Sequence, residues 1–305
     1  MKRRLLYASS QAYEPETAEE RRRVGWIEPP VVVRRAGPIG HRSIDQALVG
    51  RVPDGVVVAF RGSLPIAFDG GHDGWATLLD WLNDGLAVCV ETRDYPGGVH
   101  LGFAESMRRL WADAEGSPGV LSLVRGLLVR NLMDGRAQRH LFLTGHSKGG
   151  ALANLAAWRA SQLPEWGDMP LSVATIAAAR AGNGAFARHY AATRIACLRY
   201  EVPSDPVPHL PPGPETPRWV RAVARQFGPT LTASDYHPVG LRVSGAPARG
   251  WLNAWLGHIG RLVSWRGLDL RALTPAALAA HAIGPRSGYD QLICIGETAC
   301  GHGRR

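Results

Sequence analysis

The stretch HLFLTGHSKGGA (140–151) constrains the fold of this chain more than any other. An apolar run stops at Gly145-His146-Ser147-Lys148-Gly149, and an alanine-rich segment with helical spacing follows it. Glycines two residues either side of a serine mark a backbone that turns sharply and admits other backbone close to it, because a Cβ would occupy that room. A strand that becomes a helix through such a turn lifts the serine to its tip and sets helix amides behind it.

The flanking pattern places this turn in an alternating architecture. GVVVAFRGS (55–63) is a β-branched run ended by turn residues, which predicts a buried strand. FAESMRRLWADA (103–114) has helical spacing and stops at a Gly-Ser-Pro-Gly break. Then HLFLT predicts a strand, GALANLAAWRASQL a helix, LSVATIAA a strand, NGAFARHYAA a helix and RIACLRYEV (194–202) a strand. Strands alternating with helices of this length imply βαβ units and a mostly parallel sheet with helices on both faces. In such sheets a site forms at the carboxyl ends of the strands. Arg61-Gly62-Ser63, the 145–149 turn and Ser204-Asp205 all fall there.

Composition narrows the class. A chain of 305 residues with 45% hydrophobic content can bury a sizeable core and is not a disordered polymer. It carries no internal repeat, and no run approaches the roughly 18 apolar residues of a membrane span. The basic start MKRRLL is followed by too short an apolar stretch for a signal peptide, so the expected location is cytoplasmic, with export by a specialised route left open. Cys89, Cys197, Cys294 and Cys300 lack metal-site spacing and are expected as free thiols. The net charge of +9 is mostly spread arginine; no nucleic-acid reader accompanies it, and a solvated basic surface or attraction to an anionic lipid surface are the two readings.

Gly145-His146-Ser147-Lys148-Gly149 fits G-x-S-x-G at a strand-to-helix junction, the nucleophile elbow of α/β-hydrolases. The neighbouring blocks resemble one family, the class 3 lipases. VVVAFRGSL looks like that family's strand ending in Arg-Gly-Ser, and DWLNDGLAV (80–88) and GGVHLGFAESM (97–107) resemble its next two blocks. AARAGNGAFA is similar to its Pro-Arg-x-Gly-Asn-x-x-Phe segment, with Ala179 in place of the proline, and RYEVPSDPVPHLPP (199–212) to its Asp-x-Val-Pro-x-x-Pro block. The first 50 residues and most of the last 90 resemble nothing placed, so the chain reads as a single α/β-hydrolase domain over 1–305 with residues 1–50 an N-terminal extension.

Residue types and resemblance assign the same roles. Ser147 is the expected nucleophile, and a histidine must take its proton. Asp205 follows a strand in the chain order Ser, Asp, His of this fold and would hold the imidazole; a turn residue between two prolines is its alternative. Among the later histidines, His209 is too near Asp205 in sequence. His237 resembles a segment before the base, and His302 sits in a glycine-rich tail. His281 in AAHAIGPRSGYDQLI is similar to the family's late histidine followed by a tyrosine, here Tyr289; His258 stays as the rival. The oxyanion hole would use the amide of Lys148 and the amide or hydroxyl of Ser63. Lys148 stands where the family's lipases carry leucine, so its ammonium either favours an anionic substrate group or snorkels to solvent.

Two further stretches carry open readings. Residues 63–80 are a glycine-rich lid or an ordinary loop, and WLNAWLGHIGRLVSW (251–265) is a core helix or a lipid-resting one. The resemblance implies a serine esterase or lipase acting on a carboxylic ester, a glycerolipid above all, with no metal or organic cofactor. A phospholipase or thioesterase, or a non-catalytic binding protein of the same fold, remain as alternatives.

Overall fold

The computed structural model describes residues 1–16, 18–37, 43–63, 88–218, 220–221, 235–245, 263–264, 267–268, 280–283 and 287–294. The expectations for residues 64–80, for the block 80–87, for the tryptophan stripe and for His258 and His302 lie outside them, as do the side chains of Cys294 and Cys300. Cys89 and Cys197 are free thiols. No helix among the described residues is long and apolar enough to cross a membrane.

The order begins with α1 (Lys2–Gln11) and α2 (Ala18–Val24), followed by strands β1 (Val31–Ala36), β2 (Ser43–Val52) and β3 (Gly55–Phe60). A hairpin, β4 (Cys89–Thr92) and β5 (Tyr95–His100), leads into α3 (Leu101–Trp111) and α4 (Val120–Asp134). Then come β6 (Leu141–His146), α5 (Lys148–Ser161), β7 (Leu171–Ile176), β8 (Gly182–Asn183), α6 (Gly184–Ala191) and β9 (Ala196–Tyr200). β10 (Tyr236–His237), β11 (Leu241–Val243) and α7 (Gly288–Cys294) complete the elements that bear on the site.

The main sheet has the order β1-β2-β3-β6-β7-β9-β11. Its first three strands are antiparallel, and β3, β6, β7, β9 and β11 run parallel. The architecture is the α/β-hydrolase type expected, with β1 and β2 added at the edge from the first 50 residues. Apolar side chains on both faces of the strands explain the layering. Val56, Val58 and Phe60 pack with α3, α4 and α5, while Val57 and Ala59 pack with Leu5, Leu6 and Ala8 of α1 and Leu292 and Ile293 of α7. A strand apolar at every position has to be covered twice.

Register then gathers the chemistry. Phe60 pairs with Gly145, His146 with Ile176 and Ile176 with Tyr200, so these four strands end side by side. The segments carrying Ser63, Ser147 and Asp205 therefore emerge from one edge of the sheet, as the alternation predicts.

Lys148 corrects the sequence reading. Its side chain neither faces a cleft nor snorkels; it is 4% exposed, and Nζ lies 2.7 Å from Asp45 Oδ1 of β2. Arg109 of α3 holds the other oxygen at 2.7 Å. A buried ammonium requires a countercharge, and β2 supplies it from more than a hundred positions away in the sequence. Burial pushes Lys148 below its ordinary value, which the Asp45 charge only partly offsets. Asp45, despite its own burial, is held below the usual carboxylate range by Lys148 and Arg109.

The cluster is unequal, and that yields a first prediction. Asp45→Asn leaves Lys148 buried beside Arg109 and Arg61, whereas Lys148→Leu leaves Asp45 still paired with Arg109. Removing the partner of a buried charge costs on the order of 3–5 kcal/mol, so Asp45→Asn should lose about that much and Lys148→Leu clearly less. Urea unfolding of the two variants measures the order, and an equal or reversed ranking would contradict it.

A second prediction concerns acid. Burial lowers His100 to about 3, His209 to about 4, and His146 well below the ordinary histidine value. The unfolded chain binds protons at these positions that the folded chain refuses. Stability is therefore complete above about pH 6.5 and falls as pH drops towards the folded values, by on the order of 1.4 kcal/mol per pH unit for each histidine. Urea midpoints should be markedly lower at about pH 5 than at about pH 7.5. Equal midpoints would mean that these rings accept protons in the folded state.

Candidate active site

Ser147 sits at the junction of β6 and α5 with φ 58° and ψ −127°. A non-glycine residue seldom takes this conformation, and it persists only where its surroundings over-determine it. The surroundings are backbone. A Cβ on Gly145 would run into the Gly149 carbonyl, one on Gly149 into the Phe60 carbonyl, and one on Gly150 into Ala178. The serine is pinned from both sides as well: its amide donates to the Ile176 carbonyl (3.0 Å), and its carbonyl accepts from the Gly150 amide (3.0 Å). The expected elbow is present, with helical Lys148 directly after the serine.

Asp205 is fully buried in the segment after β9. Its Oδ1 accepts the Val207 amide at 2.9 Å. Its Oδ2 lies 2.9 Å from His281 Nδ1 and accepts the Tyr289 hydroxyl at 2.6 Å. Tyr289, from α7, also takes the Val202 amide at 3.3 Å. Burial first, and the Asp205 charge second, push the Tyr289 phenol well above its ordinary value, so it stays a donor. Asp205 and His281, distant in sequence, are thus brought together as expected.

His146, the residue before the serine, joins this pair to the elbow. Its Nε2 lies 2.7 Å from the His281 carbonyl oxygen, and the two rings are 4.5 Å apart. A carbonyl only accepts, so Nε2 carries the proton. Burial keeps the ring neutral, which leaves Nδ1 as an acceptor for the Tyr13 hydroxyl at 2.8 Å. Tyr13 follows α1, and its oxygen packs directly against Gly62.

Ser63 closes the arrangement. Gly62, its neighbour, packs so near the elbow that a Cβ there would meet the Tyr13 hydroxyl, and Ser147 Cβ at 3.1 Å. Ser63 Oγ is buried and has no hydrogen-bond partner among the described residues. Arg61 just before it reaches Gln46 Oε1 at 3.2 Å, and Gln46 Nε2 donates to the Ala12 carbonyl at 2.7 Å. The other histidines stand elsewhere. His237 pairs with Asp235 at 3.0 Å on β10, and His209 ends a short 3-10 turn. No cluster that could hold a metal ion occurs among the described residues.

Of the residues the sequence puts forward, the structure joins Asp205 to His281 and packs the Gly62–Ser63 turn against Ser147, while nothing in the sequence marks the residues that hold them. His146 occupies a variable position of the motif, so nothing marked it. Tyr13, Asp45 and Gln46 belong to the stretch that resembled nothing. Tyr289 had been noted only as the tyrosine after the late histidine, although that spacing was the available signal.

No curated protein matches the sequence. A native complex of Rhizomucor miehei lipase with its propeptide superposes with a TM-score of 0.52 at 22% identity, over 80% of this chain and 67% of that one. In a deletion mutant of that complex, this chain spans 65% of the other's length. A lipase from Rhizopus microsporus var. chinensis gives a TM-score of 0.53 at 19% identity, over 81% of this chain and 75% of that one. Lipase II from Rhizopus niveus gives 0.51 at 17%, over 80% and 78%. At such identities the likeness speaks for the fold. The family model described as lipase (class 3) matches residues 57–214, more than half of the chain and including Ser63, Ser147 and Asp205, and the chain belongs to that family.

Proposed function

We propose that this protein is a serine hydrolase that cleaves carboxylic esters, glycerolipid esters foremost, through Ser147, His281 and Asp205. One observation carries the reading: a buried carboxylate–histidine pair is tied, through His146, to a serine in a strained elbow, with the serine and the carboxylate both following parallel strands. A serine hydroxyl is a weak nucleophile unless a positioned base takes its proton.

Each step follows from the residues. Ser147 Oγ attacks the ester carbonyl carbon while His281 Nε2 takes the hydroxyl proton. Asp205, accepting at His281 Nδ1, keeps the tautomer that leaves Nε2 basic and steadies the imidazolium that forms. The carbonyl oxygen becomes an oxyanion held by the Lys148 amide at the helix N-terminus and by Ser63, whose buried Oγ has no hydrogen-bond partner among the described residues. Collapse expels the alcohol, which takes the proton from His281, and leaves an acyl group on Ser147. Water, deprotonated by the same histidine, hydrolyses that ester and restores the serine. The sequence requires no metal or organic cofactor. Lys148 contributes its amide only, since its ammonium is committed to Asp45.

Variants of the three residues test the reading. Ser147→Ala should abolish both turnover of p-nitrophenyl esters and labelling by a fluorophosphonate while circular dichroism stays unchanged; retained turnover would sink the assignment. His281→Ala should lose about as much as Ser147→Ala, and the double variant should be hardly worse than either, because the members act as a unit. Asp205→Asn should lower kcat by roughly 10⁴-fold, and a small loss would mean that another group orients the base.

A substrate panel tests the class. Short p-nitrophenyl esters, triacylglycerol and phospholipid emulsions are compared, with triacylglycerol expected to be turned over and abolished by Ser147→Ala. Turnover of phospholipid alone would move the protein to a different acyl hydrolase. The net charge of +9 adds an expectation that anionic vesicles retain the protein at low salt and release it as salt rises.

A further inference from the structure

Three segments distant in sequence meet at one phenol, and a fourth lies one ring further. The Tyr13 hydroxyl stands 2.8 Å from His146 Nδ1 and lies so close against Gly62 that a Cβ there would run into it. Gly62 precedes Ser63, His146 precedes Ser147, and His146 Nε2 donates to the main-chain carbonyl of His281 at 2.7 Å. A single hydroxyl therefore touches the neighbour of the oxyanion donor and the neighbour of the nucleophile, and one ring further it reaches the backbone of the base. The Tyr13 ring meets the His146 ring edge-on at 5.8 Å, so packing as well as hydrogen bonding sets the angle.

We propose that Tyr13 is a positioning residue for ester hydrolysis: through His146 it holds the Gly62–Ser63 turn and the His281 backbone in one frame around Ser147. The proposal rests on the hydrolase reading given above. The helix that leads into Tyr13, α1, is itself anchored to the sheet beneath the elbow. Ser9 Oγ and Thr144 Oγ1 are 2.8 Å apart, and the Ala12 carbonyl accepts Gln46 Nε2 at 2.7 Å. Tyr13 sits two residues past the end of α1 and its amide donates to the Ser10 carbonyl of that helix at 3.0 Å, which suits a rigid reference point.

The chemistry explains why such a reference is useful. The triad histidine enters on residues 280–283, whereas the nucleophile and oxyanion donor come from β6 and β3. Asp205 fixes where Nδ1 points, but a ring held at one atom can still swing. Fixing the carbonyl of the same residue through His146 supplies the second point. The tether requires the neutral His146 tautomer with Nε2 protonated, and the Tyr13 proton directed at Nδ1 selects that tautomer.

Tyr13→Phe tests this because it removes the hydroxyl and keeps the ring. kcat for a soluble p-nitrophenyl ester should fall at least about tenfold with KM within about twofold, since small misplacements of reacting groups cost that much or more. Fluorophosphonate labelling of Ser147 should slow by a similar factor, with the thermal unfolding midpoint still far above the assay temperature. His146→Gln, which keeps a donor near the Nε2 position, should retain more turnover than His146→Leu. The losses from Tyr13→Phe and His146→Leu should not add, because both break one tether.

Tyr13→Phe with wild-type kcat and labelling rate overturns the proposal. So does a loss that matches the unfolded fraction while the folded molecules label at the wild-type rate, since the residue would then serve folding alone. So does full additivity of the two losses. Ser147→Ala, assayed in parallel, separates the two levels. If it is inactive while Tyr13→Phe is normal, only the positioning role fails; if it remains active, the hydrolase reading fails and the positioning role falls with it.

Discussion

The absence of room around Ser147 is the constraint on which the rest of this structure depends. Its φ of 58° is disfavoured for a residue with a side chain, and the side chain offers no help, because it caps nothing in the helix that follows. The conformation holds because β3, β6 and the first turn of α5 approach until only glycine fits at positions 145, 149 and 150. Relaxing the serine would swing α5 away from the sheet. That helix buries Ala151, Leu152, Leu155 and Ala156, and the hydrophobic loss would be several times larger than the strain. Core packing is thus what keeps the nucleophile raised.

The polar groups beneath the elbow are buried, and the protein pairs them internally. Lys148 finds Asp45, Thr144 finds Ser9, and His146 finds Tyr13 and the His281 carbonyl. Each partner lies on a different segment. In a low-dielectric interior a half-satisfied network is worse than none, so these pairings are specific as well as stabilising. An apolar residue at position 148 would have removed the need for the Asp45 pair, which shows how one substitution in a motif commits a distant strand.

Legibility followed the range of the forces involved. The strands 55–60, 141–146, 171–176 and 196–200 were readable because burial on both faces demands continuous apolar runs, and the helices after 146 and 183 because their spacing is local. The elbow was readable because its glycines answer a local steric demand. β2 was not: SIDQALVGRV buries Asp45, Gln46 and Arg51, whose partners lie on α1, α3, α4 and α5 and at Glu28, so it reads as a polar stretch. α4 was hidden because Val129, Leu132 and Met133 are exposed while Asn131 is buried, which blurs its amphipathic stripe. Asp205 and His281 were readable through resemblance, and their shared hydrogen bond only through the fold.

The family match begins at residue 57, yet the groups that hold the site in place begin well before it. Ser9 approaches from α1 and Tyr13 from the turn after it, while Asp45 and Gln46 approach from β2, and together they touch Thr144, His146, Lys148 and Arg61. An N-terminal extension in sequence is therefore, in space, the floor of the candidate site. This inversion has a physical origin. The reacting groups need exact chemistry and so keep recognisable residues, whereas a supporting group needs only to present a donor, an acceptor or a charge at a given point. Many residues on many backbones can do that, so support leaves little trace in sequence. Its effect is nonetheless fixed by geometry: a phenol at position 13 reaches three segments of the site with one oxygen and one imidazole.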